Sequence, residues 1–174
     1  LRDIKSYLLD ATSLHIFVLT NECNARCVYC QAQSEASHRK GLMDADTAKK
    51  AVALAFQSPE PFLSIEFQGG EPLLNFATIQ VIIAEAEKKA LETHKKVEFS
   101  LVSNLTLLND EMIAFLQEHK VNVSTSIDGP MALHNTNRPL CQGGGTYGGT
   151  IRGLKRLQEA NVCVGAIETT TRYS

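Results

Sequence analysis

The sequence lacks the features that would place it in a membrane, in a secretion pathway or on nucleic acid. No apolar run approaches the roughly 18 to 20 residues that span a bilayer, and the first residues, Leu1 to Lys5, contain no apolar signal segment. The formal net charge is only −2, which argues against a nucleic acid bound through bulk electrostatics. We therefore expect a cytoplasmic protein with neither a membrane nor a nucleic-acid partner.

Cysteine is also scarce, and its distribution is uneven. Of five cysteines, three lie in the stretch Cys23 to Cys30 with the spacing C-x3-C-x2-C. Clustering without a secretion signal favours a metal over disulfides. Three thiolates on one loop can bind three irons of a cubane iron–sulfur cluster, in which each iron needs one outside ligand. No fourth cysteine follows at short spacing, so one iron is left for a non-protein ligand.

A zinc site and a chance grouping are the other interpretations of these cysteines. Zinc usually takes a closed set of four ligands with a second cysteine pair, whereas Cys141 and Cys163 are isolated in the sequence. His15 and His38 do not form a finger pattern. We interpret His15 as a satisfied core histidine and Cys163 as a small buried hydrophobe, because each stands in an apolar run.

Hydrophobic patterning predicts strands that alternate with helices. The predicted strands are residues 14–20, 62–68, 97–102, 121–127 and 162–170. The predicted helices are residues 47–56, a longer one capped by Asn75, 110–119 and 150–160, and residues 31–43 form a polar loop. This order implies right-handed βαβ units, a parallel sheet and an α/β fold in a single domain.

The residues with chemical potential follow the ends of the predicted strands. The cysteine stretch follows the first strand, Gly69-Gly70-Glu71-Pro72 the second, Ser103-Asn104 the third and residues 128–138 the fourth. In parallel α/β folds, sites assemble at the carboxyl ends of strands. We therefore expect these four stretches to form one site.

Gly69-Gly70-Glu71-Pro72 suits contact with a cationic ligand. Two glycines let the backbone approach a ligand, and Glu71 supplies a carboxylate that can accept hydrogen bonds from an ammonium group. A tight turn with a solvated glutamate is the alternative interpretation.

Together these motifs resemble the radical S-adenosylmethionine (radical SAM) superfamily, in which Tyr29 would be the aromatic residue before the last cysteine. The segments 68–73, 126–130 and 134–138 are similar to the branch that modifies peptides and proteins. That branch includes anaerobic sulfatase maturases and enzymes with a C-terminal cluster-binding SPASM domain. The resemblance is greatest to the maturase of the His-Xaa-Ser repeat system.

The resemblance implies a [4Fe–4S] cluster ligated by Cys23, Cys27 and Cys30, with S-adenosylmethionine chelating the fourth iron. Arg138 would contact the carboxylate of S-adenosylmethionine, because a cationic fork suits bidentate binding; a surface arginine is the alternative. Asp128 is interpreted as a turn former. The other residues implied to contact S-adenosylmethionine are Tyr29 near the adenine, Gly69, Gly70 and Glu71 at the amino group, Ser103 and Asn104 facing the cofactor, and Ser126 at the ribose.

The implied activity is reductive cleavage of S-adenosylmethionine to a 5′-deoxyadenosyl radical, which abstracts hydrogen from a peptide or protein substrate. A small flavodoxin-like or ferredoxin-like reductase would supply the electron. No residue matches a catalytic acid or base of the family.

The implied fold is a partial (β/α) TIM-like barrel of the radical SAM type, of which about five βα units are present. We expect residues 1–174 to be a single incomplete core domain, truncated before the sixth strand and without the SPASM-like domain. The exposed edge of the fifth strand would permit a homodimer. A truncated, non-catalytic domain that binds a peptide or partner is the alternative function, and a zinc-binding structural protein is a third.

Overall fold

The computed structural model describes residues 12–30 and 41–170, so most of the predicted polar loop at 31–43, including His38, lies outside the described residues. Five parallel strands form one sheet in the order β1-β2-β3-β4-β5. The parallel α/β architecture predicted from the sequence is confirmed. The strands are β1 (Leu14–Val18), β2 (Phe62–Gln68), β3 (Lys96–Val102), β4 (Asn122–Ser126) and β5 (Val164–Ile167).

Helices connect the strands, and most were predicted. They are α1 (Ala45–Ala55), α2 (Phe76–Thr93), α3 (Asp110–Glu118), α4 (Met131–Asn137) and α5 (Tyr147–Glu159), with a 3₁₀ turn at Pro72–Asn75 before α2. The short helix α4 was not predicted, because Pro130 and the asparagines of this segment favour turns. Among the described residues, no helix is both long and apolar enough to cross a membrane.

Side chains cap the starts of α1 and α3, but not those of α2, α4 and α5. Asp44 caps α1 by accepting a hydrogen bond from the Thr47 N–H at 2.7 Å. Asn75 stands at the N-cap of α2 but makes no side-chain capping bond. Its amide instead donates to the carbonyl oxygens of Leu19 at 3.0 Å and Met43 at 2.9 Å. Asn75 therefore ties α2 to the loop after β1, a role that the capping prediction missed.

The two faces of the sheet differ in polarity. On one face of β2, residues Leu63, Ile65 and Phe67 are fully buried in a core shared with α1, α2 and α3. On the other face, Glu66 and Gln68 are half-buried. Strand residues alternate between faces, and the register of β1 with β2 places the exposed Leu14, Ile16 and Val18 on this same face, so it is mixed in polarity and less buried than the core face.

Helix α5 begins earlier than predicted, within a glycine-rich segment. Glycine disfavours helix, so sequence patterning placed the start at residue 150 rather than at Tyr147. A Cβ on Gly153 would lie 2.7 Å from Leu105 Cβ and 2.8 Å from the Leu105 carbonyl oxygen. A Cβ on Gly149 would lie 2.9 Å from Thr106 Cγ2. The glycines therefore let α5 pack directly on the loop after β3.

Two minor predictions are wrong. Cys163 is exposed rather than buried, because it precedes β5, which has a neighbouring strand on only one side in the described sheet. His15 lies in β1, but its Nε2 is buried without a hydrogen-bond partner among the described residues, so it is not a satisfied histidine.

The packing of α5 predicts the outcome of two matched glycine substitutions. Gly153→Ala should lower the free energy of unfolding by about 1–2 kcal/mol, because the new methyl group overlaps Leu105 and this exceeds the gain in helix propensity. Gly148→Ala is the control on the same helix, since the nearest atom to its Cβ is Arg152 Nη1 at 3.5 Å. It should be neutral or stabilising by up to about 1 kcal/mol. Chemical denaturation measures both, and equal stabilities of the two variants would contradict this packing.

Candidate active site

A cavity of about 170 Å³ lies where the strands end at their carboxyl sides. Gln68, Val102 and Ser126, the last residues of β2, β3 and β4, form part of its wall. The cavity brings together the eleven residues singled out from the sequence, namely Cys23, Cys27, Tyr29, Cys30, Gly69, Gly70, Glu71, Ser103, Asn104, Ser126 and Arg138. Gln68 also lines it and was not predicted, although it directly precedes the glycine pair.

The glycine pair packs against the loop that carries the cysteines. A Cβ on Gly70 would lie 2.2 Å from the Glu22 carbonyl oxygen, and one on Gly69 would lie 2.4 Å from that of Thr20. The Gly70 N–H donates to the Thr20 oxygen and the Glu71 N–H to the Glu22 oxygen, both at 2.8 Å. Both N–H groups therefore donate within the protein rather than to a ligand. The glycines therefore bring the loops after β1 and β2 together, in addition to lining the cavity.

Glu71 is a buried carboxylate whose partners come from the loop after β3. Its Oε1 accepts hydrogen bonds from the Ser103 hydroxyl at 2.7 Å and the Leu73 N–H at 3.1 Å. Its Oε2 accepts from the Asn104 N–H at 2.9 Å. Burial raises the pKa of Glu71, and these hydrogen bonds oppose that rise. A carboxylate oxygen has two acceptor positions, so Oε2 retains one for a ligand in the cavity.

Asp128 does more than form a turn, because its fully buried carboxylate joins three segments. Oδ2 accepts from the Tyr29 hydroxyl at 2.5 Å and from Arg138 Nε at 3.0 Å, and Oδ1 accepts from the Thr169 N–H at 3.3 Å. Burial opposes ionisation of Asp128, but the bonds from Arg138 and Tyr29 outweigh it and hold the pKa below its usual value. No spacing rule links residues 29, 128 and 138, so this cluster could not be predicted from the sequence.

These contacts orient both Tyr29 and Arg138. The Arg138 guanidinium carbon lies 5.2 Å from the centroid of the Tyr29 ring, within range of a cation–π interaction. Burial and the bond to Asp128 raise the pKa of Tyr29, so its hydroxyl stays neutral and donates. Arg138 bonds Asp128 through Nε, and within residues 12–30 and 41–170 no hydrogen bond engages its two terminal nitrogens, which can therefore bind a ligand.

The buried His134 stabilises the positions of Asp128 and Arg138. The Thr146 hydroxyl donates to the Arg138 carbonyl oxygen at 2.8 Å, so it accepts from His134 Nε2 at 3.0 Å. His134 Nδ1 accepts from the Asp128 N–H at 3.3 Å. Burial and the nearby Arg138 lower the pKa of His134, consistent with this neutral tautomer. His134 therefore has a structural role, which its place in a sequence motif alone did not reveal.

The three clustered cysteines are half-buried and carry free thiols. Their loop is held by backbone bonds to the segment after α4, from the Arg26 N–H to the Pro139 oxygen at 2.7 Å and from the Val28 N–H to the Asn137 oxygen at 2.9 Å. Burial raises the pKa of Cys23 to about 11 and also raises the pKa of Cys27. Binding of a metal would therefore displace protons from these thiols.

The buried pair of Asp128 and Arg138 predicts a large loss of stability on neutralising the acid. Asp128→Asn should lower the free energy of unfolding at neutral pH by about 3 kcal/mol, because Arg138 is left buried without its counter-charge. The difference from wild type should shrink as the pH falls through the lowered pKa of Asp128, since the wild-type carboxyl is then neutral as well.

Asp110→Asn is the matched control for this prediction. Asp110 also pairs with an arginine, Arg156 at 2.5 Å, but its side chain is fully exposed. Its loss should cost far less than the loss of Asp128, because solvent screens an exposed ion pair. Denaturant titrations of both variants give the comparison, and similar losses would show that burial of the Asp128 pair contributes nothing.

Comparison with known proteins agrees with this geometry. The family model for the Radical SAM superfamily matches residues 17–173. A cysteine-type anaerobic sulfatase-maturating enzyme of Clostridium perfringens (strain 13 / Type A) is 30% identical over 169 residues, which cover 92% of this chain and 46% of the relative. The radical SAM cyclopropyl synthase TigE of Paramaledivibacter caminithermalis is 30% identical over 158 residues, covering 83% of this chain and 32% of that protein.

The solved structures support the same assignment. Native anSMEcpe with bound AdoMet superimposes with a TM-score of 0.81 at 28% sequence identity, covering 89% of this chain and 43% of that one. This likeness confirms the predicted partial barrel of the radical SAM type. The chain spans about half the length of the curated relatives it matches. With a family model matched over nearly its whole length, the chain belongs to the radical SAM superfamily.

Proposed function

We propose that this chain is the core of a radical SAM enzyme that binds a [4Fe–4S] cluster and reductively cleaves S-adenosylmethionine. The observation that supports this most directly is the convergence of three cysteines, the Gly-Gly-Glu motif and Arg138 on one cavity. These residues come from loops that are far apart in the chain.

The donor set fits a cubane cluster better than a single metal ion. The cavity wall includes three thiols and no histidine, and each thiol would serve a different iron. Among the described residues, no three His, Cys, Asp or Glu side chains are close enough to hold one metal ion. In a cubane cluster the three protein ligands bind three different irons, whereas a zinc ion is coordinated by four ligands at once. This favours iron and sulfide over the zinc interpretation.

The remaining polar groups suit S-adenosylmethionine. The N–H groups of Gly70 and Glu71 are engaged with the cysteine loop, which leaves carbonyl oxygens and one position on Glu71 Oε2 as acceptors for an ammonium group. The terminal nitrogens of Arg138 would bind the carboxylate, and Ser126 would meet the ribose. Tyr29 would lie near the adenine with its ring held by Asp128. Ser103 and Asn104 would act mainly through Glu71, to which both donate.

When bound, the two groups would supply reductive cleavage of S-adenosylmethionine by one electron, to methionine and a 5′-deoxyadenosyl radical that would abstract hydrogen from the substrate. The chain's own contribution is to hold these groups in a cavity whose walls are fixed by its own hydrogen bonds. A flavodoxin-like or ferredoxin-like reductase is the proposed electron donor.

The proposed substrate is a peptide or protein. The relatives include sulfatase-maturating enzymes, and one neighbouring structure is described as native anSMEcpe with bound AdoMet and Cp18Cys peptide.

We propose that residues 1–174 act as one radical SAM core in the cytoplasm, where free thiols persist. The half-open edge of the sheet at β5 is the proposed contact of a homodimer.

Anaerobic reconstitution with iron and sulfide tests the proposal. The wild-type protein should bind about four irons and about four sulfides per chain and show the absorbance of a cubane cluster. Cys27→Ala should lose most of this iron, while Cys163→Ala, which removes an exposed thiol outside the cavity, should keep it. A wild-type protein that takes up no iron, with all three thiols free, would contradict the proposal.

Cleavage of S-adenosylmethionine separates the enzyme from the non-catalytic alternative. Under a strong reductant, the loaded protein should form methionine and 5′-deoxyadenosine, and the Cys27→Ala variant should form neither. A protein that binds a substrate peptide but never cleaves S-adenosylmethionine would instead be a peptide-binding domain.

A further inference from the structure

Three polar side chains beside the first cysteine form a closed ring of hydrogen bonds. Asn24 Nδ2 donates to Thr106 Oγ1 at 2.8 Å, and Thr106 Oγ1 donates to Asn104 Oδ1 at 2.6 Å. Asn104 Nδ2 closes the ring by donating to Asn24 Oδ1 at 2.8 Å. We call these three residues the amide ring. Each member donates to the next in the same sense, an arrangement in which hydrogen bonds strengthen one another.

The orientation of both amides is fixed by a bond from the backbone. The Thr106 N–H donates to Asn104 Oδ1 at 2.9 Å, so this atom must be the carbonyl oxygen of Asn104. Its Nδ2 then points to Asn24, which in turn must present its own oxygen. The ring therefore has one consistent arrangement of donors and acceptors.

The loop after β3 and helix α5 hold the ring in place. Leu105, between two ring members, is buried and has a left-handed backbone with φ of 63°. The Thr150 hydroxyl of α5 donates to the Asn104 carbonyl oxygen at 2.9 Å. Gly149 of α5 lies directly against Thr106. Leu105 has a strained backbone and is held by the close-packed helix α5, which indicates that the loop after β3 is rigid. Asn104 and Thr106 belong to this loop, so they anchor Asn24, the third member of the ring.

The cysteine loop has two anchors that follow Cys23, and before Cys23 the Glu22 carbonyl oxygen accepts from the Glu71 N–H at 2.8 Å. Cys27 lies in the part held by the backbone bonds to Asn137 and Pro139. Asn24, adjacent to Cys23, is held by its side chain in the amide ring and by one backbone bond from the Cys141 N–H at 2.9 Å. Cys23 lines the 170 Å³ cavity and also a neighbouring cavity of about 470 Å³. Empty space on two sides means that packing alone does not fix Cys23.

We propose that the amide ring is a positioning element for the cluster: it holds Cys23 in place relative to Cys27 and Cys30, independently of the second anchor. This inference rests on the proposed function, because the position of Cys23 relative to Cys27 and Cys30 matters only if the three thiols bind one cluster. Asn24 and Thr106 are thus positioning residues that no cysteine motif reveals.

Thiol reactivity in the cluster-free protein tests the positioning of Cys23 without reference to activity. Thr106→Val keeps the shape of the side chain but removes the hydroxyl that links Asn24 to Asn104. We expect alkylation of Cys23, mapped by mass spectrometry, to become roughly fivefold faster, with Cys27 and Cys30 unchanged. Thr106→Ser retains the hydroxyl and should restore the wild-type rate.

Thr93→Val is the matched control, because its hydroxyl bonds the Lys89 carbonyl on the exposed surface of α2 at 2.7 Å. It should leave all three rates unchanged. Asn24→Ala, at a half-exposed loop position, provides a second variant that opens the ring from the other side and should reproduce the effect of Thr106→Val. Equal acceleration at all three cysteines would indicate general loosening and overturn the proposal.

Iron release gives the second readout and separates this inference from the proposed function. In the reconstituted protein, Thr106→Val should lose iron to a chelator roughly fivefold faster than wild type, and Thr106→Ser should not. If wild type loads a cluster but the valine variant releases iron at the wild-type rate, the positioning role is wrong and the proposed function stands. If wild type takes up no iron and sulfide, both are wrong.

Discussion

The buried carboxylate of Asp128 is the constraint on which the candidate site depends most. A charge with no solvent contact is costly unless hydrogen bonds and a counter-charge compensate for it, and Asp128 finds both in Tyr29 and Arg138. Each partner belongs to a different part of the chain: the cysteine loop and the end of α4. One carboxylate therefore adds a buried side-chain contact between loops that backbone bonds and the bridge of Ala25 to Leu140 also join, and it orients the arginine that faces the cavity.

Glu71 plays a corresponding part between β2 and β3. Its oxygens accept bonds from Ser103, Asn104 and Leu73, so the loops after these two strands meet at one buried group. The glycine pair before it is pressed against the cysteine loop so closely that no side chain would fit. The walls of the cavity are thus held by the protein's own contacts, which is what preorganisation of a cofactor site requires.

Much of the fold could be predicted because its signals are local. Alternation of apolar strands and amphipathic helices located every strand, and β2 was predicted to the residue. The meeting of four stretches at one cavity was predicted from their places after successive strands, since parallel strands bring their carboxyl ends to one edge.

What escaped prediction depends on contacts between distant residues. The partners of Asp128, the amide ring and the tie from Asn75 to Leu19 have no fixed spacing in the sequence. The early start of α5 was missed because packing on Leu105 overrides the low helix propensity of glycine. The prediction that Cys163 is buried was wrong, because apolar neighbours in the sequence do not determine which strands surround a residue.

The order of the sheet has a consequence for synthesis. Each strand pairs with the strand that immediately precedes it in the chain, so every βα unit can dock on an existing edge as it leaves the ribosome. The bond between Tyr29 and Asp128 breaks this pattern, because it joins residues 99 positions apart. The cysteine loop can bond to the residues after β2 and β3 earlier, but its contact through Tyr29 cannot form until the chain has been made as far as Asp128, after the fourth strand.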